Sequence, residues 1–255
     1  MKLECAHILE NIEISEGIFD LKIATTALAA YARPGQFAML YLESGQLLLP
    51  RPISICDIDG DTVRFIYQVV GAGTQELAGK KPGQVIKVLA PLGKGFMLGS
   101  SARTVQSKVA IVGGGIGTPP LLYLAKELVA QGAQVDAYLG FRQDTILLED
   151  FEAVVGRLYF ATETGNRGHR GRILEVVESL KQDYDEILAC GPRPMLNALA
   201  AYAQTQGIPC QICTEERMAC GLGTCVGCSI SIKGTYLRVC TEGPVFYSDE
   251  VDRHE

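Results

Sequence analysis

Four cysteines near the carboxyl end constrain this chain more than any other feature. They form a C-x4-C-x2-C…C pattern: Cys220, Cys225, Cys228 and Cys240. This is the plant-type spacing of ligands for a [2Fe–2S] cluster, in which two irons that share bridging sulfides need four thiolates. Gly221, Gly223 and Gly227 allow the loop to adopt positive φ and bring amide groups near the sulfurs. A structural zinc site is the alternative, although zinc ligands usually come in two well-separated pairs.

The other cysteines are expected to be structural. Nine cysteines are an odd number, and a chain of 255 residues does not need disulfides for stability, so metal or redox chemistry in a reducing cytoplasm is favoured. Cys210 and Cys213 form a C-x2-C pair, but residues three apart in the predicted strand face opposite sides. We therefore expect these two to be buried structural thiols, as we do for Cys5 and Cys56.

Composition and charge exclude several classes of partner. Hydrophobic residues make up 47% of the chain and charged residues 20%, which is ordinary for a packed protein. The net charge of −6 argues against nucleic acid or an anionic membrane as the main partner. No apolar stretch reaches the roughly 20 residues that a membrane-spanning helix needs. We expect a cytoplasmic protein without a nucleic-acid or membrane partner.

The pattern of predicted secondary structure changes near residue 100. Before it, short β-branched runs alternate with turn signals and predict an antiparallel barrel, with a short helix after Gly73. The small, polar stretch 98–104 suits a domain boundary. After it, strands alternate with helices, which is typical of βαβ units on a parallel sheet. The predicted domains are a β-barrel domain at 1–100, an α/β parallel-sheet nucleotide-binding domain at 105–214 and a small Cys-rich iron–sulfur subdomain at 215–255.

Two glycine-rich helix starts are candidates for phosphate binding. Arg51-Pro52-Ile53-Ser54 is expected to present a cation and a hydroxyl on one face of a strand, and Gly71-Ala72-Gly73-Thr74 to open a helix toward a pyrophosphate. A salt-bridged barrel arginine is the alternative for Arg51. The run from Val109 to Pro120 is a strand, a glycine loop and a helix start, with Thr118 in the place of a third Rossmann glycine. A tight strand-to-helix turn without a ligand is the alternative there.

These motifs, in this order, resemble the ferredoxin–NADP reductase superfamily. The resemblance implies that the barrel holds FAD and that the second domain holds a pyridine nucleotide. The implied cofactor-binding residues are Arg51, Pro52, Ile53, Ser54, Ile66, Tyr67, Gln68, Gly73, Thr74, Gly113, Gly114, Gly115, Ile116, Gly117, Thr118, Cys190, Gly191 and Pro192. Cys190 would lie near the contact between flavin and nicotinamide, with a buried structural cysteine as the alternative, and Ile53 stands where an aromatic residue often stacks on the flavin. NAD is expected rather than NADP.

The segment from Glu215 to Phe246 is similar to the electron-transfer subunits of dihydroorotate dehydrogenase B. That resemblance implies an oxidoreductase component of pyrimidine biosynthesis. An FMN-containing catalytic partner subunit would oxidise dihydroorotate to orotate, and electrons would pass through [2Fe–2S] and FAD to NAD+. It also implies a heterotetramer with two copies of each subunit. The alternatives are a subunit of another complex, such as ferredoxin–NADP oxidoreductase, sulfhydrogenase or anaerobic sulfite reductase, or a non-catalytic module with a structural metal.

Overall fold

The chain divides into two compact units in the computed structural model, which describes residues 1–42, 48–98 and 107–252. The barrel unit comprises Met1–Gly95, Glu215–Ile230 and Tyr236–Pro244, and the sheet unit comprises Phe96–Thr214, Ser231–Thr235 and Val245–Glu255. Most of the cysteine segment thus belongs to the barrel unit. The division at 1–100, 105–214 and 215–255 stays a prediction, and residues 99–104 of the expected boundary lie outside the described part of the chain.

Six antiparallel strands close the barrel. They are β1 (Lys2–Ser15), β2 (Ile18–Ala24), β3 (Phe37–Tyr41), β4 (Arg51–Asp59), β5 (Thr62–Gln68) and β6 (Val85–Leu92), in the order β1-β2-β5-β4-β3-β6. Two short helices accompany them, α1 (Thr26–Tyr31) and α2 (Ala72–Ala78). The predicted barrel and the helix after Gly73 are confirmed. Helix α1 was not predicted; the hydroxyl of Thr25 caps it by accepting from the Leu28 amide at 3.2 Å.

The first strand corrects one expectation about the cysteines. β1 is 14 residues long, and the alternation of its side chains buries Ala6 and Ile8 in the barrel. Cys5 lies on the opposite side of the strand and is exposed. The prediction that Cys5 is buried is therefore wrong, whereas Cys56 is buried as expected.

Seven strands form the main sheet of the sheet unit. Six of them run parallel: β7 (Lys108–Gly114), β8 (Gln134–Phe141), β9 (Arg157–Thr162), β10 (His169–Arg170), β11 (Glu186–Cys190) and β12 (Cys210–Cys213). The helices are α3 (Pro120–Ala130), α4 (Leu148–Glu152), α5 (Ile173–Leu180) and α6 (Arg193–Gln206). Every residue of β11 is buried, as expected for a parallel strand covered on both faces. The predicted parallel-sheet domain is confirmed.

The carboxyl-terminal segment adds three short strands. β13 (Ser229–Ile232) and β14 (Thr235–Arg238) form a hairpin, and β15 (Val245–Tyr247) pairs antiparallel with β12 at the edge of the main sheet. Among the described residues, no helix combines the length and the apolar character needed to cross a membrane.

A buried polar network lies beneath α5 and α6. The hydroxyls of Tyr138 and Tyr184 are 2.7 Å apart, and Tyr184 donates to a carboxylate oxygen of Asp136 at 2.7 Å. All three side chains are buried. The Asp136 carboxylate thus receives a donor inside the protein, and the chain of hydroxyls fixes how β8 packs against the segment before β11.

We expect Tyr184→Phe to lower the free energy of unfolding by about 2 kcal/mol, because it leaves two buried groups, on Tyr138 and Asp136, without the Tyr184 hydroxyl. Denaturant unfolding followed by circular dichroism measures this change. Tyr236→Phe, at a tyrosine that is 74% exposed, is the control and should change stability by less than about 0.5 kcal/mol. Equal stability of the two variants would contradict a structural role for the network.

Candidate functional site

The β13–β14 hairpin brings the four cysteines of the motif together. Cys228 directly precedes β13 and Cys240 follows β14, and the Val239 amide donates to the Cys228 carbonyl at 3.0 Å. Cys220 and Cys225 lie in the loop that leads into the hairpin. The fold therefore returns the fourth cysteine to the other three, although eleven residues separate it from them.

The thiols have the environment that iron ligands need. Burial by itself would raise the pKa of Cys220, but hydrogen bonds from Thr224 and from the amides of Cys225 and Leu222 hold it at about 5. The Leu222 amide lies 3.3 Å from this sulfur. Burial and the adjacent Cys228 thiol raise the pKa of Cys240 to about 11. Iron would supply the positive charge that neighbouring thiolates lack, so the donor set fits an iron–sulfur cluster.

The placement of the cysteines bears on the choice between a cluster and a zinc ion. Cys220, Cys225 and Cys228 lie in one loop, and the hairpin returns Cys240 to them. This is the plant-type arrangement of [2Fe–2S] ligands, whereas zinc ligands usually come in two well-separated pairs.

The backbone of the cysteine loop departs at one glycine from the predicted positive φ angles. Gly221 and Gly223 have φ of 68° and 78°, as predicted. Gly227 is not in the left-handed region; instead Val226, with φ of 51°, takes that conformation. A β-branched residue is strained there. Its side chain is 60% exposed, so no packing in the barrel unit explains the choice of valine.

Arg238, which was not predicted from the sequence, holds the cysteine loop in place by hydrogen bonds. The Arg238 guanidinium donates to both carboxylate oxygens of Glu242, at 3.0 and 2.7 Å, and to the Gly223 carbonyl at 3.0 Å. The ion pair lowers the pKa of Glu242 to about 2. Opposite charges four residues apart on either side of Cys240 are the signal that could have revealed it. Arg238 is a positioning residue, since it holds the segments on both sides of the cluster.

We expect Arg238→Gln to speed the loss of the reconstituted cluster several-fold, because three charge-assisted hydrogen bonds on the loop are removed. The decay of visible absorbance in the presence of an iron chelator measures this rate. NADH-dependent reduction of FAD should not change.

The matched control is Lys233→Gln, which breaks an exposed ion pair to Glu250 away from the cysteines. It should leave cluster decay unchanged. If Arg238→Gln decays no faster than this control, Arg238 does not position the loop.

The residues predicted to bind FAD come together at one end of the barrel. Arg51 begins β4, Gln68 ends its antiparallel neighbour β5, and α2 starts shortly afterwards. A Cβ atom on Gly73 would overlap the Arg51 guanidinium, so any larger residue here would require the Arg51 side chain to move. The Nε of Arg51 is buried and has no hydrogen-bond partner among the described residues, while another guanidinium nitrogen donates to the Leu49 carbonyl at 2.9 Å. A buried donor without a partner fits a phosphate or flavin oxygen as its acceptor.

Some predicted FAD contacts have structural roles here. The Thr74 hydroxyl accepts from the Val70 amide at 2.9 Å and donates to the Gly71 carbonyl at 3.1 Å, so it closes the turn before α2. The Tyr67 ring is buried and stacks on Phe19, and burial raises its pKa despite a hydrogen bond to Asn11.

The remaining predicted FAD contacts in β4 and β5 differ in burial and in the face they occupy. Pro52, Ile53 and Ser54 are half-buried in β4, Ile66 is buried and Gln68 is exposed. Arg51 and Ser54 pair in regular register with Leu40 and Phe37 of β3. Residues three apart in such a strand point to opposite faces, so the expectation that Arg51 and Ser54 share one face is wrong. All of these residues stay predicted, rather than demonstrated, FAD contacts.

We expect Arg51→Ala to weaken FAD binding about 10- to 150-fold, which corresponds to the roughly 1.5–3 kcal/mol of a charge-assisted contact. Flavin fluorescence after gel filtration measures retention. The control is Arg33→Ala, at an exposed arginine of the same unit, and it should keep its flavin. Full flavin occupancy in Arg51→Ala would make Arg51 a purely structural cation.

The predicted nucleotide loop lies at the carboxyl end of the parallel sheet. Gly113 and Gly114 end β7, Gly115–Gly117 form a single 3₁₀ turn, and α3 follows. A Cβ on Gly117 would lie 2.6 Å from the Gly191 backbone, so the two strand-to-helix loops pack backbone against backbone. The Thr118 hydroxyl is fully buried and has no partner among the described residues. Amides at such an edge, with an unused buried hydroxyl behind them, fit a dinucleotide phosphate.

The second loop at this edge carries the predicted C-G-P motif. Cys190 is the last residue of β11 and is buried, Gly191 lies against Gly114, and Pro192 directly precedes α6. Met195, which the sequence analysis did not single out, packs on both glycines. No residue spacing points to Met195 before the fold is known. The structure therefore brings the two predicted nucleotide motifs together.

Comparison with known proteins gives a consistent result. The electron transfer subunit of dihydroorotate dehydrogenase B (NAD(+)) from Caldanaerobacter subterraneus is 38% identical over 96% of this chain and 97% of its own length. The corresponding subunit from Clostridium acetobutylicum is 38% identical over 96% of this chain and 95% of its own. The chain belongs to this family of electron-transfer subunits. Residues 215–252 also match a family described as the iron–sulfur cluster binding domain of dihydroorotate dehydrogenase B.

Solved structures support the same fold. A chain of the NADH-dependent reduced ferredoxin–NADP oxidoreductase, a flavin-based electron-bifurcating enzyme, has a TM-score of 0.88 and 28% identity, over 97% of this chain and 89% of that one. A ferredoxin–NADP+ reductase from Neisseria gonorrhoeae with bound FAD and NADP has a TM-score of 0.68 and 17% identity, over 81% and 92%. Membership among the dihydroorotate dehydrogenase B electron-transfer subunits confirms the predicted cofactors: FAD, a [2Fe–2S] cluster and NAD.

Proposed function

We propose that this chain receives electrons from an FMN-containing dihydroorotate dehydrogenase subunit and delivers them to NAD+. The observation that carries the proposal is the gathering of Cys220, Cys225, Cys228 and Cys240 by the β13–β14 hairpin within a chain of this family. When bound, the cluster supplies one-electron transfer and FAD supplies the exchange between single electrons and a hydride.

The residues of the two units would bind different cofactors. In the barrel unit, Arg51 offers a buried positive donor to the flavin or its phosphates, and Gly73 leaves room for it. In the sheet unit, the loop from Gly113 to Thr118 offers amides to the dinucleotide phosphates. Arg238 and Glu242 keep the cysteine loop in shape. Each unit thus offers binding groups to one redox cofactor.

The partner subunit is proposed to dock on the cysteine loop. Leu222 and Val226 are 44% and 60% exposed, and Cys225 between them is also exposed. Electron transfer weakens steeply with distance, so a donor must approach where the cluster lies nearest the surface. An exposed apolar rim beside the ligands suits a protein surface with a matching apolar patch. Two copies of each subunit are the proposed assembly.

The cysteines also support a cytoplasmic location. None of the nine is in a disulfide, including the exposed Cys5. Unpaired thiols persist in reducing compartments, where pyrimidine synthesis from dihydroorotate would supply the electrons.

We expect Leu222→Asp to weaken association with the partner subunit at least tenfold, because a carboxylate would be buried against an apolar surface. Analytical ultracentrifugation of the reconstituted complex measures association, and cluster absorbance checks that the loop stays intact. Leu3→Asp, at an exposed leucine of β1, is the control and should associate normally. Normal association of Leu222→Asp would remove the cysteine loop from the interface.

Purification of the tagged chain from its own organism tests the function itself. We expect an FMN protein to co-purify and the complex to form NADH from NAD+ when given dihydroorotate. The likeness to a subunit of the NADH-dependent reduced ferredoxin–NADP oxidoreductase favours one second candidate, transfer between NADH and a ferredoxin-linked partner. A co-purifying complex that exchanges electrons with ferredoxin, and leaves dihydroorotate unchanged, would replace the proposal with that candidate.

A further inference from the structure

Two cysteines outside the iron–sulfur motif are neighbours in the sheet unit. In the parallel pairing of β11 with β12, Cys190 lies opposite Cys213. Both side chains are buried, with 9% and 5% of their surface exposed, and neither is in a disulfide. The sequence pairs Cys213 with Cys210 instead, so this contact becomes visible only in the fold.

The two thiols project from the same face of the sheet. Ile187, Ala189, Cys210 and Ile212 all belong to the core beneath α5 and α6. Because side chains alternate along a strand, Cys190 and Cys213 project from the other face, side by side. Paired residues on adjacent strands are separated by about 4.8 Å, which lies within the roughly 4.4–6.8 Å between the Cα atoms of disulfides. Cys210 cannot join this pair without a break in β12.

The pair lies directly beside the predicted nucleotide loop. Gly191 follows Cys190 and packs against Gly114, and its backbone also limits the space at Gly117. A covalent bond at Cys190 would therefore act on two loops whose backbones are already in contact. Interiors packed this closely transmit small displacements rather than absorbing them.

We propose that Cys190 and Cys213 form an oxidation-sensitive dithiol whose conversion to a disulfide lowers turnover at the nicotinamide site. The two thiols lose two electrons and two protons and form one S–S bond. An azo oxidant such as diamide takes up the two electrons and two protons and becomes a hydrazine. A peroxide that takes them up becomes water and an alcohol. A dithiol reductant reverses the reaction. The effect on turnover rests on the proposed function of the nucleotide loop, whereas formation of the bond does not.

Cys210 gives a natural comparison within the same strand. Burial raises the pKa of its thiol to about 12, although Ser248 donates a hydrogen bond to it. It lies on the opposite face of the sheet from Cys190 and Cys213. Because Ile187, and not a cysteine, lies opposite it on β11, Cys210 should remain reduced when the pair is oxidised.

Cleavage at methionine detects the bond directly. Cyanogen bromide cuts after Met97, Met195 and Met218, so Cys190 is the only thiol of fragment 98–195, and Cys210 and Cys213 are the thiols of fragment 196–218. We treat the holoprotein with diamide, block remaining thiols, cleave, and compare gels with and without dithiothreitol. We expect the two fragments to stay joined until dithiothreitol is added. NADH-dependent dye reduction should fall at least fivefold and recover with the reductant, while cluster absorbance stays constant.

The variants identify the partner of Cys190. Cys213→Ala should give separate fragments and keep full, diamide-resistant activity, and Cys213→Ser provides a second variant if alanine disturbs the strand. Cys210→Ala should still give joined fragments. Separate fragments from the oxidised wild-type protein, or joined fragments from either Cys213 variant, would overturn the proposed bond. Joined fragments with unchanged dye reduction would overturn the proposed effect on turnover.

Discussion

The constraint that shapes the site is that four thiols lie close together and two of them are buried. Burial, and after it the neighbouring Cys228 thiol, raises the pKa of Cys240 to about 11, whereas hydrogen bonds hold the pKa of Cys220 at about 5. Such a loop needs external support before iron arrives. The hairpin supplies it by joining Val239 to the Cys228 carbonyl, and Arg238 supplies it by joining Gly223 to Glu242.

The two units share one property at their predicted cofactor sites, a buried hydrogen-bond donor without a partner among the described residues. Among the described residues, the buried polar atoms without a hydrogen-bond partner include the Nε of Arg51 in the barrel unit and the hydroxyl of Thr118 in the sheet unit. An unsatisfied buried polar group costs about 1–3 kcal/mol. A fold tolerates that loss most readily where a ligand restores the missing hydrogen bond, and both atoms belong to motifs that the sequence assigns to cofactors.

Features set by spacing or periodicity could be predicted from the sequence. The cysteine pattern predicted an iron–sulfur segment, and residues 215–252 match such a domain. The change from short β-branched runs to strands that alternate with helices predicted a barrel followed by a parallel sheet, and both are present. Features set by tertiary contacts could not. The exposure of Cys5 depends on the full length of β1, and the positive φ of Val226 depends on how the loop closes. Arg238 and Glu242 form a pair only because the hairpin turns the chain back, and the neighbours Cys190 and Cys213 require the strand order.

The short strand β15 also affects whether copies of the chain associate with one another. It hydrogen-bonds along β12, where Gln211, Ile212 and Cys213 would otherwise present unpaired amide and carbonyl groups. Open edges of that kind template intermolecular β-pairing. A truncation after Cys240 would retain every predicted cluster ligand and yet uncover this edge. By covering this edge, β15 protects the protein against aggregation, a role separate from electron transfer.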